Sequence, residues 1–134
     1  MSEPLPAVYV GVGCRKGCPA DLLEALLQQS LASLGLTLHA VQGIASIELK
    51  VSEAGLHQLA DRLQLALQFF PAEQLQRFAP QLSQHSATAF AHSGCWGVAE
   101  STALALAARA HGSARLVLTR QTLAGATLAL ASAG

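Results

Sequence analysis

The run Val8-Tyr9-Val10-Gly11-Val12-Gly13-Cys14-Arg15-Lys16-Gly17 does most to limit the folds open to this chain. It reads as a buried strand that breaks into a glycine-rich, doubly cationic turn ahead of a helix. The helix is the clearest element of the sequence: Leu22, Leu23, Leu26, Leu27, Leu31 and Leu34 recur every three to four residues over 19–34 and make one apolar stripe. Pro19 suits its first position, Asp21 complements the amino-terminal dipole, and Gly35 accepts the left-handed cap. Such a strand-turn-helix unit predicts an anion-holding site. Gly11, Gly13 and Gly17 let the backbone bend and approach a ligand, while Arg15, Lys16 and the free amides of the next helix supply positive potential.

Beyond this unit, 36–51 predicts a short helix around Val41, Ile44 and Ala45, then extended chain through Ile47, Leu49 and Val51. Ser52 and Glu53 open a further helix with Leu56, Leu59, Ala60 and Leu63 inward. A short buried strand is expected over 66–70, then a brief helix from Pro71 with Leu75 and Phe78 inward, closed by Pro80. Residues 87–90 are expected as another strand before the turn Gly94-Cys95-Trp96-Gly97, after which 98–109 is an alanine-rich helix. Strands over 116–119 and 126–131 are separated by too few residues for a parallel crossover, so they form an antiparallel hairpin. Strands alternating with helices predict one domain over 1–134, a three-layer α/β/α fold whose mostly parallel sheet ends in a C-terminal antiparallel hairpin. In such sheets the ligand crevice lies outside the carboxyl ends of the strands, so the Gly11–Gly17 loop and the His92–Glu100 turn are expected on one edge.

Composition narrows the functions. With 51% hydrophobic and 12% charged residues the chain has ample material for a core. Its 8 Lys+Arg balance 8 Asp+Glu and only 4% of residues are aromatic, which disfavours nucleic acid and anionic membranes as partners. The glycine-rich turn lacks the Walker lysine spacing and is one residue longer than the dinucleotide fingerprint, so a nucleotide fits poorly. Three cysteines cannot all pair within a monomer, and Cys14 and Cys18 are not spaced as Cys-x-x-Cys, which points to a reducing compartment. Glu3, two early prolines and a short apolar run make neither a signal peptide nor a span, so the chain is expected in the cytoplasm. The five histidines lack metal-ligand spacing, and neither a metal nor another cofactor is expected. Ser101 and Thr102 have no base and orienting acid in sequence to make a triad.

The motif Gly11-Val12-Gly13-Cys14-Arg15-Lys16-Gly17 resembles the opening of the CobE / CbiG carboxy-terminal family of cobalamin biosynthesis. Further matches follow in order: Ile44-Ala45-Ser46-Ile47 with Lys50, Glu53 and Gly55-Leu56; Phe69-Phe70-Pro71-Ala72-Glu73-Gln74-Leu75; and Gly94, Gly97-Val98-Ala99-Glu100 and Ala103-Leu104. Nearly the whole chain is covered, and it is similar to the free-standing CobE-like form. The resemblance implies a protein that binds a corrinoid or precorrin intermediate, as carrier or accessory factor, and that meets other enzymes of the pathway. It leaves open a small enzyme that opens a lactone on a precorrin with release of a fragment, or a structural partner of another pathway enzyme.

Corrin precursors are broad macrocycles edged with carboxylates, which call for cations and amide donors around an apolar crevice. Arg15 can grip a carboxylate through two parallel hydrogen bonds and Lys16 adds a point charge, each with a solvated turn charge as the competing reading. Cys14, in an electropositive loop, is a candidate thiolate nucleophile or a buried structural thiol. Glu100 is a candidate acid or base, or a first-turn carboxylate that stabilises its own helix. The resemblance adds Lys50 and Glu53 as ligand contacts, with a surface ion pair or helix start as the competing reading, together with Gly94 and Gly97. His92, the one histidine near the expected crevice, is a candidate ligand contact or a surface-turn histidine.

Overall fold

The computed structural model describes residues 7–134; Glu3 and the early prolines read above lie outside the described residues. Five strands form one sheet in the order β3-β2-β1-β5-β4: β1 (Val8–Gly13), β2 (Val41–Ile47), β3 (Leu67–Phe70), β4 (Ala114–Leu123) and β5 (Ala126–Ala133). The β1 strand pairs in parallel with β2, and β2 with β3, while β5 runs antiparallel to both β1 and β4. Four strands therefore point one way and β5 alone opposes them, which is the mostly parallel sheet with a terminal hairpin. The hairpin turns through Ala124 and Gly125, both at positive φ (47° and 90°), the backbone that a two-residue turn needs to follow strand twist.

Each face of the sheet has its own helices because β1 is buried on both sides. Val8, Val10 and Val12 face α1 (Ala20–Ser33) and α2 (Ala54–Leu63), in a core with Leu23, Leu27, Leu56 and Leu59. Tyr9 faces the other layer, built on α5 (Val98–His111) and the short α3 (Ala72–Leu75) with the 3-10 turn Gln76–Gln81 behind it. Ala99, Ala103 and Ala107 recur every four residues on α5 and are fully buried, so the helix sits close against the strand. Gly11 permits this: a Cβ there would lie 1.9 Å from the Ala99 carbonyl oxygen and 2.5 Å from the Ala103 nitrogen.

Two expected elements are corrected. Residues 41–47 form β2 rather than a helix, preceded by a 3-10 turn at Leu38–Ala40 and followed by another at Glu48–Lys50 that ends the extended chain before Leu49 and Val51. The strand is buried on both faces except at Gln42, so its apolar residues do not alternate and its period is hidden. Residues 87–90 belong to a helix, α4 (Ala87–Ser93), not a strand. Ser86 caps it by accepting a hydrogen bond from the Ala89 N–H at 3.1 Å, and Gly94 ends it at φ 75°. A run of four residues was too short to show a helical period. A smaller shift falls at Pro19, which is the extended N-cap of α1 and not its first helical residue.

Candidate functional site

At the carboxyl ends of β1 and β2 a cavity of about 430 Å3 opens between the Gly13–Arg15 loop, the turn after β2, and the α4–α5 connection. Gly13, Cys14, Arg15, Lys50, His92 and Gly97 all line it, so the two loops expected to share an edge do meet. Ile47, Leu49, Ala89, Val98 and Ala99 give it an apolar wall, and Arg120, Gly125 and Thr127 close it from the hairpin. Among the described residues no Asp or Glu lines the cavity, although three cations do. Among the described residues the only ion pairs join Arg62 to Asp21 and Glu24, so Arg15, Lys50 and Arg120 have no carboxylate partner there.

Each wall has a local cause. The Gly13 carbonyl accepts a hydrogen bond from the Thr127 hydroxyl at 3.3 Å, which ties the end of β1 to the hairpin. Arg15 lies over the hairpin turn, with its Nε 2.7 Å from where a Gly125 Cβ would stand; the missing side chain leaves room for the guanidinium. The 3-10 turn after β2 carries Leu49 outward, 64% exposed, to the rim, with Lys50 beside it. Gly97 is the extended N-cap of α5 and its position offers no side-chain cap, so the uncapped start of this helix lies on the cavity wall.

That last point corrects the source of the amide donors. No residue of α1 lines the cavity; its start is covered by α2, where a Gly55 Cβ would stand 2.1 Å from the Cys18 carbonyl oxygen. The positive helix end is supplied by α5 instead.

The other candidates fall outside the cavity lining. Gly11 serves the seating of α5 and Gly94 the end of α4. Lys16 is exposed on the turn. Gly17 takes φ 80° and donates its N–H to Glu53 Oε1, so this carboxylate holds the loop in shape from behind. Glu100 is buried and fully engaged: Oε1 accepts from the Ser83 N–H at 2.8 Å, and Oε2 from the Ser83 hydroxyl and the Arg120 N–H, the latter at 2.8 Å. Sequence reasoning passed over Ile47, Leu49, Thr127 and Arg120 as cavity residues. Leu49 carried a signal, since an apolar residue between Glu48 and Lys50 is out of place on a solvated turn; the place of Arg120 on the cavity depends on strand register.

Burial pushes the Cys14 thiol up to about 11, and the neighbouring Cys18 and Glu53 add to the shift while Lys50 opposes it. The electropositive loop therefore fails to make a ready thiolate, since desolvation outweighs the lysine. Cys18 is raised too, first by burial and then by Glu53. All three cysteines are free. Alkylation of Cys14 by iodoacetamide, followed by mass spectrometry of its peptide, is expected to stay slow at pH 8 and to climb until about pH 11; a plateau near pH 8.5 would show an unshifted thiol. The sign for stability follows: the unfolded thiol ionises first, so stability is lost as pH rises from about 9 to about 11.

No helix among the described residues is long and apolar enough to cross a membrane, and no group of three or more His, Cys, Asp or Glu is placed to hold a metal ion. The family description "Cobalamin synthesis G C-terminus" matches residues 8–131. Protein CobE of Sinorhizobium sp is 33% identical over 124 residues, covering 92% of this chain and 79% of its own length. A crystal structure of CobE, a protein from the cobalamin (vitamin B12) biosynthetic pathway, superposes with a TM-score of 0.89 at 40% identity, over 96% of this chain and 93% of that one. A cobalt-precorrin-5A hydrolase of Priestia megaterium is 30% identical over 95 residues, but these make up 25% of its length. The matched span runs from the start of the central strand through the hairpin that closes the cavity, so the whole fold is shared, and the chain belongs to the CbiG C-terminal family as a CobE-like protein of cobalamin biosynthesis.

Proposed function

We propose that the protein binds a corrinoid or precorrin intermediate by the carboxylate fringe of its macrocycle, in the cytoplasm, and holds it for transfer to other enzymes of the pathway. One observation carries this reading: a cavity of about 430 Å3 in which Arg15, Lys50 and Arg120 surround an apolar wall and no acidic side chain of the described residues intrudes. The chain as a whole has no net charge, so this clustering is a local arrangement that favours an anionic guest. Only an edge of so broad a ring enters such a volume; the exposed Leu49 at the rim offers apolar surface to the face of the ring left outside. Binding is favoured over turnover because Cys14 is held as the neutral thiol and the Glu100 carboxylate is spent on internal hydrogen bonds.

Spectral titration with a corrin polycarboxylate tests the reading. A stoichiometric complex with unchanged ligand mass is expected, and Arg15→Ala should weaken it about tenfold through loss of a charge-assisted contact. A change of ligand mass on incubation would instead make the protein an enzyme, and wild-type affinity in the variant would remove Arg15 from the contact.

A further inference from the structure

The β4–β5 ladder is interrupted where the cavity needs a side chain. Leu118 pairs with Leu130 and Gln121 with Leu128, so Thr119 and Arg120 together face the single residue Ala129. Two residues against one is a β-bulge, which takes an N–H out of the ladder and re-aims a side chain. Here the freed N–H is that of Arg120, and it donates to Glu100 Oε2 at 2.8 Å. Glu100 is 3% exposed in the first turn of α5, and its remaining bonds are to Ser83. The next residue, Gln84, accepts from Arg120 Nη2 at 2.7 Å. Backbone and guanidinium of Arg120 are thus each held by a separate partner, and the side chain lines the cavity with most of its donors unspent.

We propose that Arg120 is a carboxylate-binding subsite of its own, apart from Arg15 and Lys50, and that Glu100 is its positioning residue, acting through the bulge. The proposal rests on the carboxylate-holding reading above and deepens it: one peripheral carboxylate of the ligand is read by a guanidinium whose place is set by α5. The ladder has a second irregularity, at Val117 between Leu116 and Leu118, but Val117 lies outside the cavity lining, whereas the bulge at Thr119 and Arg120 sets a cavity residue and bonds Glu100. A buried carboxylate without a cation is costly unless its lone pairs are occupied, and the bulged N–H occupies one of them. Loss of either partner should therefore loosen the other.

The test titrates the protein with a corrin polycarboxylate and, in parallel, with its fully methylated ester. Arg120→Ala is expected to weaken the polycarboxylate about tenfold and leave the ester unchanged. Glu100→Gln should lose a similar factor, and the double variant should be no weaker than Arg120→Ala alone, because one residue acts through the other. Arg120→Lys should recover part of the loss. If Glu100→Gln does not fold, Ser83→Ala removes one donor to the carboxylate and should show a smaller loss of the same kind. Wild-type affinity in Arg120→Ala beside a weakened Arg15→Ala would overturn the subsite and leave the wider reading standing. Equal loss of ester binding, or additive losses in the double variant, would reduce Glu100 and Arg120 to structural parts. Failure of the wild-type protein to bind the polycarboxylate would overturn both.

Discussion

Gly11→Ala is expected to cost about 3 kcal/mol of stability in a urea unfolding experiment, at the upper end for an overpacked core. The added Cβ would stand 1.9 Å from the Ala99 carbonyl oxygen, 2.5 Å from the Ala103 nitrogen and 2.6 Å from the Thr102 hydroxyl. Two of these atoms are backbone of α5, and β1 is the middle strand of the sheet, so neither side can yield without moving a layer. The damage should reach the site. Ala99 and Val98 are cavity wall, and a helix lifted off β1 carries its free amides away from Arg15. A loss below about 1 kcal/mol would mean that α5 is not seated on the strand as described.

Gly55→Ala separates packing from propensity by its sign. Within a helix the change to alanine favours folding by about 1 kcal/mol, and α2 spans this position. The new Cβ would, however, meet the Cys18 carbonyl oxygen at 2.1 Å and the Cys18 carbonyl carbon at 3.3 Å. We expect a net loss of about 2 kcal/mol, because the clash falls on backbone that cannot rotate away. The obstacle is a loop, so part of the strain should be relieved by shifting residues 14–18. Cys18 donates its N–H to the Arg15 carbonyl at 3.1 Å, and movement there displaces Arg15 from the cavity. Weaker corrinoid binding should accompany the lower unfolding midpoint; a gain in stability would show that α2 does not press on this loop.

These two glycines mark what could be read from the chain and what could not. Gly11 stood in the most legible segment, and its presence in a strand pointed to close approach, but a ligand and a helix are equally good reasons for it. The alanines of α5 hold the answer, since Ala99, Ala103 and Ala107 present a surface that only a residue without Cβ can meet. The strand β2 was hidden by burial on both faces, and α4 by brevity. At the site, Cys14, Arg15, Lys50, His92 and Gly97 were legible through the glycine-rich turn and the ordered family motifs. Glu100 was legible as a residue of consequence while its bonding was not, because Ser83 and Arg120 reach it from distant parts of the chain. Of the two readings open for Cys14, the raised pKa favours the buried thiol over the thiolate, because charge is visible in sequence and desolvation is not.

By itself the sequence determined the strand-turn-helix opening, the terminal hairpin, the apolar stripe of α1 and the pattern of small residues along α5. Each is a matter of local period or of backbone that only certain residues adopt. The tertiary structure decided which helix end faces the cavity, since α2 closes the start of α1 and leaves that of α5 open. It also decided that Arg15, Lys50 and Arg120 converge with no carboxylate of the described residues among them. Sheet order, strand register and the bulge at Thr119 and Arg120 bring those cations together, and such non-local geometry leaves no period in the chain to read.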